Sequence, residues 1–247
     1  MNYLDLTLAS VAENLALDEA LLLEAEASGS GEILRFWEWP TPTVILGAGS
    51  RLTEDVNQLA CQADRVAILR RSSGGGTVLL GHGCLCYSLI LSYDRHLALR
   101  EIHSSFRFIL GRVRDALADL SPVRQAGPTD LRLELAGTSD LAIAGRKCSG
   151  NSQQRKRRFL LHHGTILYAF DAHLVDRYLR LPSRQPDYRL QRKHGEFLTN
   201  LPARSCELKS RLMTAWNAET RADSWPRDVV RQLAEEKYSR AEWTRRR

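Results

Sequence analysis

Between residues 33 and 92 the apolar residues come in short runs punctuated by proline and glycine, and runs so bounded read as strands. Residues 33–37 form one such run, the break Pro40-Thr41-Pro42 ends it, and 43–47 form the next. Two strands joined by so short a loop suggest an antiparallel pair. Further runs lie at 66–70, 77–80, 84–92, 131–135, 140–144 and 160–168. Between them, apolar residues at helical spacing mark helices at 12–27, 54–63, 100–120 and 171–179. The last fifty residues carry two polar helices, 206–217 and 227–237, that pack on one face. The sheet therefore reads as mixed, with no repeat and no low-complexity linker.

Composition narrows the function classes. The chain has 247 residues, of which 43% are hydrophobic and 26% charged, enough to bury a core and too apolar for wholesale disorder. A formal charge of +6 suits an acidic partner. The runs Arg155-Lys156-Arg157-Arg158 and Arg245-Arg246-Arg247 read as a solvated turn and a terminus, with a docking patch as the alternative. They lack interleaved aromatics, which argues against a nucleic-acid module. Five cysteines, Cys61, Cys84, Cys86, Cys148 and Cys206, have no disulfide or zinc spacing and fit a reducing cytoplasm. Cys84 and Cys86, in one strand, are expected on opposite faces. The first residues do not read as a secretory signal, and no stretch is apolar enough to span a membrane.

Three segments carry chemistry. In Arg70-Arg71-Ser72-Ser73-Gly74-Gly75-Gly76-Thr77-Val78 two cations precede three glycines between strands. Glycine lets backbone N–H groups approach an anion and arginine pairs bidentately with phosphate or carboxylate, so the segment reads as a phosphate cradle or a glycine-rich hairpin turn. It is neither a Walker loop nor a dinucleotide fingerprint. The second segment runs from Ser139-Asp140 through Gly145-Arg146-Lys147-Cys148-Ser149-Gly150. A strand would feed a turn there and a small-residue loop, and Lys147 could meet a carbonyl oxygen or phosphate or be an exposed turn lysine. The third is His162-His163-Gly164-Thr165, where adjacent histidines of a strand diverge to opposite faces and a shared metal is not expected.

In order and content these segments resemble the lipoate-protein ligase A family and its octanoyltransferase relatives, within the biotin and lipoate protein ligase superfamily. The family signatures are Arg-Arg-x-x-Gly-Gly-Gly-x-Val, Gly-Lys-Lys-x-x-Gly-x-Ala and His-x-x-Leu-Leu-x-x-x-Asp. The match extends to Asn14-Leu15-Ala16-Leu17-Asp18-Glu19-Ala20-Leu21, to Trp39-Pro40 through Gly47, and to Lys237-Tyr238 with Glu242-Trp243. The resemblance implies an α/β fold of the α+β type, with a mixed, largely antiparallel sheet flanked by helices. It implies one catalytic domain over 1–247, mainly helical from about 200.

It further implies that Arg70, Arg71 and Gly74, Gly75 and Gly76 hold an acyl chain and activated phosphate, with Lys147 catalytic at the acyl carbonyl. Ser73, Thr77, Asp140, Gly150, His163, Gly164 and Thr165 would complete the substrate site. The implied activity is attachment of lipoate or octanoate to a lysine of an apo lipoyl domain or a glycine-cleavage H-type carrier. In a ligase this passes through an acyl-adenylate made with ATP and magnesium; in a transferase an acyl-carrier protein supplies the group. The chain departs from the ligases in reading Leu80-Gly81 and Cys84 where many have His-Asp and an asparagine, and Ser139 before Asp140. The ligases often carry an additional C-terminal domain for which 247 residues leave no room, so the length resembles an octanoyltransferase, with an acyl-carrier protein or a separate accessory domain as alternative further partners. Single-domain transferases keep a nucleophilic cysteine upstream of the lysine, where 131–136 has none. Acyl transfer through an adenylate is the first reading. A cysteine-dependent octanoyltransferase using Cys148 or Cys84 is the second, and a non-catalytic lipoyl-domain or acyl-binding partner is the third.

Overall fold

The computed structural model describes residues 1–120, 132–183 and 185–246. Its strands are β1 (Asn2–Asp5), β2 (Ile33–Glu38), β3 (Thr43–Leu46), β4 (Ala67–Arg70), β5 (Val78–Leu80) and β6 (Cys84–Ser92), followed by β7 (Leu133–Ala136), β8 (Asp140–Ile143), β9 (Arg146–Arg155), β10 (Phe159–Leu167) and β11 (Thr220–Arg221). The helices are α1 (Val11–Ser28), α2 (Leu52–Asp55), α3 (Gln58–Ala63), α4 (Ile102–Leu117), α5 (His173–Tyr178), α6 (His194–Phe197), α7 (Ser205–Trp216), α8 (Arg227–Leu233) and α9 (Ala241–Arg245). Eight strands form the main sheet in the order β11-β1-β2-β6-β10-β9-β8-β7, and β4-β3-β5 form a smaller one. Among described residues only the β11-β1-β2 pairings of the main sheet are parallel. The fold is thus mixed and largely antiparallel, as the resemblance implies.

Five expectations change. The runs at 33–37 and 43–47 are not paired: β2 lies between β1 and β6, whereas β3 pairs parallel with β4 and antiparallel with β5. Pro40 and Pro42 turn the chain out of one sheet and into the other, so the short loop joins sheets rather than strands. The loop expected after Lys147 is part of the ten-residue strand β9, whose small residues pair with β10. Cys84 and Cys86 share one face, in the same apolar cluster, because a strand's period of two puts residues i and i+2 on the same side. The two C-terminal helices lie on opposite faces, α7 against α4 and α8 against α1. The strand expected at 131–135 starts at Leu133, and Leu131 lies outside the described residues.

Two apolar clusters flank the main sheet. On one face α4 and α7 bury Ile109, Leu110, Val113, Leu212 and Trp216. On the other, α1 sits between the main sheet, the small sheet and α8, and is buried on most of its circumference. Ser10 caps α1 in a reciprocal capping box with Glu13, and Gly29 at φ 78° ends it, so both termini are fixed locally. The histidines diverge as expected: His162 meets Phe106 of α4, and His163 faces Asp18 of α1. No helix among the described residues is long and apolar enough to cross a membrane.

Candidate active site

The site lies where the glycine loop between β4 and β5 approaches the face of β9 and β10. Gly75 has φ +80°, a conformation that favours glycine, and a Cβ there would lie 2.9 Å from a terminal nitrogen of Arg71. Arg71 explains the loop's shape. Its buried guanidinium donates to the carbonyls of Gly74 (2.5 Å) and Gly76 (2.8 Å) and to Ser73 Oγ (3.0 Å). Burial lowers its pKa to about 10, which leaves it cationic at neutral pH. Ser73 Oγ lies 2.5 Å from His163 Nε2, and His163 Nδ1 lies 3.4 Å from Asp18. This geometry suits a tautomer in which Ser73 donates to Nε2 and Nδ1–H faces the carboxylate.

Asp18 closes that chain. Burial works to raise its pKa, but the Arg35 guanidinium at 2.5 Å and His163 outweigh burial and hold the carboxyl below its ordinary value. Arg35 is itself wholly buried and also bonds Asn14 Oδ1 at 2.6 Å. The sequence Asn14 to Asp18 therefore ties α1 to β2 beneath the site. Its helical spacing suggested only an amphipathic face. A polar pair buried one turn apart on α1 is the signal that periodicity alone does not give.

Lys147 projects from β9 and forms an ion pair with Asp140 Oδ1 at 2.8 Å. Tyr188 donates to the other carboxylate oxygen at 2.6 Å, and burial together with Asp140 raises the tyrosine pKa, so the phenol stays protonated. The lysine stem lies over Gly150, where a Cβ would stand 2.7 Å from Nζ. Gly164 is equally constrained, since a Cβ would fall 1.9 Å from Asn151 Oδ1. Thr77 donates to Asp55 at 2.6 Å and fastens the exit of the glycine loop.

Around these groups are two connected spaces. A narrow slot of about 150 Å³ is walled by Leu15, Trp37, Ile45, Val78, Leu80 and Cys86 and is closed by Lys147, His163 and Thr165. A wider cavity of about 880 Å³ shares Gly75, Gly76, Thr77, Asp140, Lys147, Gly150 and Thr165 with it and continues to Arg51, Arg180 and Arg189. The arrangement offers an apolar channel ending at one ammonium, with a more polar chamber beyond.

Not every expected residue converges here. Arg70 turns away, donating to the carbonyls of Gly47, Ser50 and Thr244, so it fastens the 47–50 loop and α9 instead. Cys148 faces the α4 side, 1% exposed, with its thiol donating to Leu141 O, and burial pushes its pKa to about 12. Cys84 is buried beside Cys86 in the α1-side core. Cys86 borders the slot, but the Cys84 thiol beside it, then burial, push its thiol up. Cys206 is exposed and lies at the start of α7. Tyr188 and Arg189, which no sequence motif marks, come from a short segment with neither periodicity nor glycine to signal it.

The model of the lipoyl protein ligase A/B catalytic domain family matches residues 10–207. The chain belongs to that family. Within it, an octanoyltransferase LipM from Carboxydothermus hydrogenoformans is 28% identical over 95% of this chain and 94% of its own length. The LipM of Symbiobacterium thermophilum is 30% identical over 76% of this chain and 73% of its own. A bi-partite lipoate protein ligase from Thermoplasma acidophilum, studied with its E2 lipoyl domain, has a TM-score of 0.80 at 24% identity, covering 99% of this chain and 95% of that one. At that identity the likeness is one of fold. The family match spans the glycine loop, the Lys147 strand and the histidine strand together.

Proposed function

We propose that this chain transfers a lipoyl or octanoyl group from an acyl-adenylate to a lysine of a lipoyl-carrier protein, with no acyl-cysteine intermediate. The observation that carries the reading is the position of Lys147, held by Asp140 where the apolar slot opens into the wider cavity. An acyl chain in the slot would bring its carbonyl to the ammonium. The carrier amine would attack that carbon, its C–N bond would form, the C–O bond to phosphate would break, and the nucleotide would leave with the electron pair while the amine loses a proton. Lys147 would stabilise the developing oxyanion and the leaving phosphate, the groups on which negative charge grows. The cations Arg51, Arg180 and Arg189 along the wider cavity suit a phosphate-bearing donor. Among the described residues no three His, Cys, Asp or Glu side chains converge as a metal cage. Magnesium, where ATP is the starting material, would enter on the phosphates.

The second reading is octanoyl transfer by a thioester route, in keeping with the likeness to two octanoyltransferases. It needs a thiolate nucleophile, and burial and neighbouring groups hold Cys148 and Cys86 protonated. One experiment separates the two. An apo lipoyl domain is incubated with the chain and either octanoate, ATP and magnesium, octanoyl-adenylate, or octanoyl-acyl-carrier protein, and the product is weighed. Modification from the adenylate is expected. Modification from the thioester alone would select the second reading, and modification from none would point to a binding role.

A further inference from the structure

The C-terminal segment meets the glycine loop through polar contacts rather than through the core. Helix α9 has five residues, none of them buried. Trp243 Nε1 donates to the carbonyl of Arg70 at 2.8 Å, and Arg70 in turn donates from Nε and Nη2 to the carbonyl of Thr244 at 3.0 and 2.8 Å. Arg70 ends β4, and its Nη1 holds the carbonyls of Gly47 and Ser50, each at 2.8 Å. The 47–50 loop is tied to the glycine loop by the N–H of Ala48, which donates to the carbonyl of Ser73 at 2.8 Å. Tyr238, wholly buried, donates to Glu19 at 2.7 Å and stands beside Ser72, whose hydroxyl donates to Gln154 at 2.5 Å. Lys237 Nζ lies 4.3 Å and the Arg246 guanidinium 3.6 Å from the centre of the Trp243 ring, so the indole is held on both its ring and its N–H. Both loops border the site: Gly49, Ser50 and Arg51 face the wider cavity, and Gly75, Gly76 and Thr77 face both spaces.

We propose that Trp243 is a positioning residue for acyl transfer, acting through the Arg70 carbonyl to hold the glycine loop and the 47–50 loop in the conformation that receives the acyl donor. The inference rests on the acyl-transfer reading above. A short helix that buries no residue adds little to the core, so its contacts act chiefly on the loops they touch. A loop that is already ordered need not be ordered by the ligand, and the contribution of Trp243 therefore falls on donor affinity. The chemical step is separate from it, because Asp140 and Lys147 stand on β8 and β9 and pair with each other.

The test compares parent and Trp243→Phe, which keeps a ring beside Lys237 and Arg246 and removes the N–H donor to Arg70. Three quantities are read: amide hydrogen exchange without ligand, equilibrium binding of octanoyl-adenylate, and single-turnover transfer to an apo lipoyl domain at saturating octanoyl-adenylate. Exchange is expected to speed up at 47–50 and 71–77 and to stay at the parental rate in β9 and β10. Binding should weaken about 3- to 10-fold, the range for one hydrogen bond, with the saturating transfer rate unchanged. Tyr238→Phe, which keeps the ring and removes the hydroxyl beside Ser72, serves if Trp243→Phe does not fold, and the same pattern is expected. Faster exchange throughout the chain, or an equal fall in affinity and saturating rate, would make Trp243 a residue of general stability and overturn the proposal. Loop exchange identical in parent and variant would overturn it with the acyl-transfer reading intact. A parent chain that does not bind octanoyl-adenylate would instead overturn that reading, and the place of Trp243 in the reaction with it.

Discussion

Adjacent residues in this chain have opposite tasks, and motif matching alone does not separate them. Arg70 and Arg71 read together as anion ligands, yet one braces the 47–50 loop against α9 and the other shapes the glycine loop. Arg70→Ala would strip donors from at least three carbonyls, and a loss of about 3–5 kcal/mol in denaturant unfolding is expected. A neutral result would show those contacts to be dispensable. Cys148→Ala should retain carrier modification, because its buried thiol faces away from Lys147; abolished transfer together with a trapped acyl-enzyme would contradict this. The histidine pair gives a pH signature. Burial depresses His162 to about 3, so between its ordinary 6.5 and that value the unfolded chain holds a proton that the folded chain refuses. Stability should fall as pH drops through that window, and His162→Gln should flatten the slope between pH 6.5 and 4.5. His194, also depressed, leaves a residual slope, and an identical profile in parent and variant would exclude His162 as a source.

At the scale of elements, strand existence was legible and strand partnership was not. The apolar runs at 84–92 and 160–168 appear almost unchanged as β6 and β10, since buried central strands are marked by their own residues. The partnership of β3 depended on α2 and α3 carrying the chain to β4, a contact between distant residues that no local pattern encodes. Lys147 looked like a turn residue because Gly145-Arg146-Lys147 is a turn signal. The pairing of Ile143 with Arg146 across a two-residue turn at Ala144 and Gly145 shows that the strand resumes at Arg146. The glycine loop offers a discriminating test. Gly75→Ala meets both a left-handed φ and Arg71, and should lower both stability and transfer. Gly76→Ala meets nothing within 4 Å and should leave unfolding unchanged while narrowing the slot it borders. Transfer by Gly76→Ala should therefore shift toward shorter acyl chains. Equal melting temperatures for both variants would contradict the assigned backbone roles.

For the whole molecule, α1 is the keel on which the site is assembled. It anchors Asp18 under His163 and receives α8, while Glu19 accepts from Lys237 Nζ at 2.7 Å and from Tyr238 at 2.7 Å. The closing segment thus reaches back to the first helix. The account's central claim is that Lys147 acts at the acyl carbonyl and is not a fold-stabilising lysine. Its most direct test is single-turnover transfer from preformed octanoyl-adenylate to an apo lipoyl domain, followed by intact mass for parent and Lys147→Ala, alongside thermal unfolding. The account predicts a rate lower by about 10²–10³ in the variant, the loss typical of one donor to a developing oxyanion. It also predicts a near-parental melting temperature, because Asp140 keeps its bond to Tyr188. Near-parental transfer by a folded Lys147→Ala would contradict it.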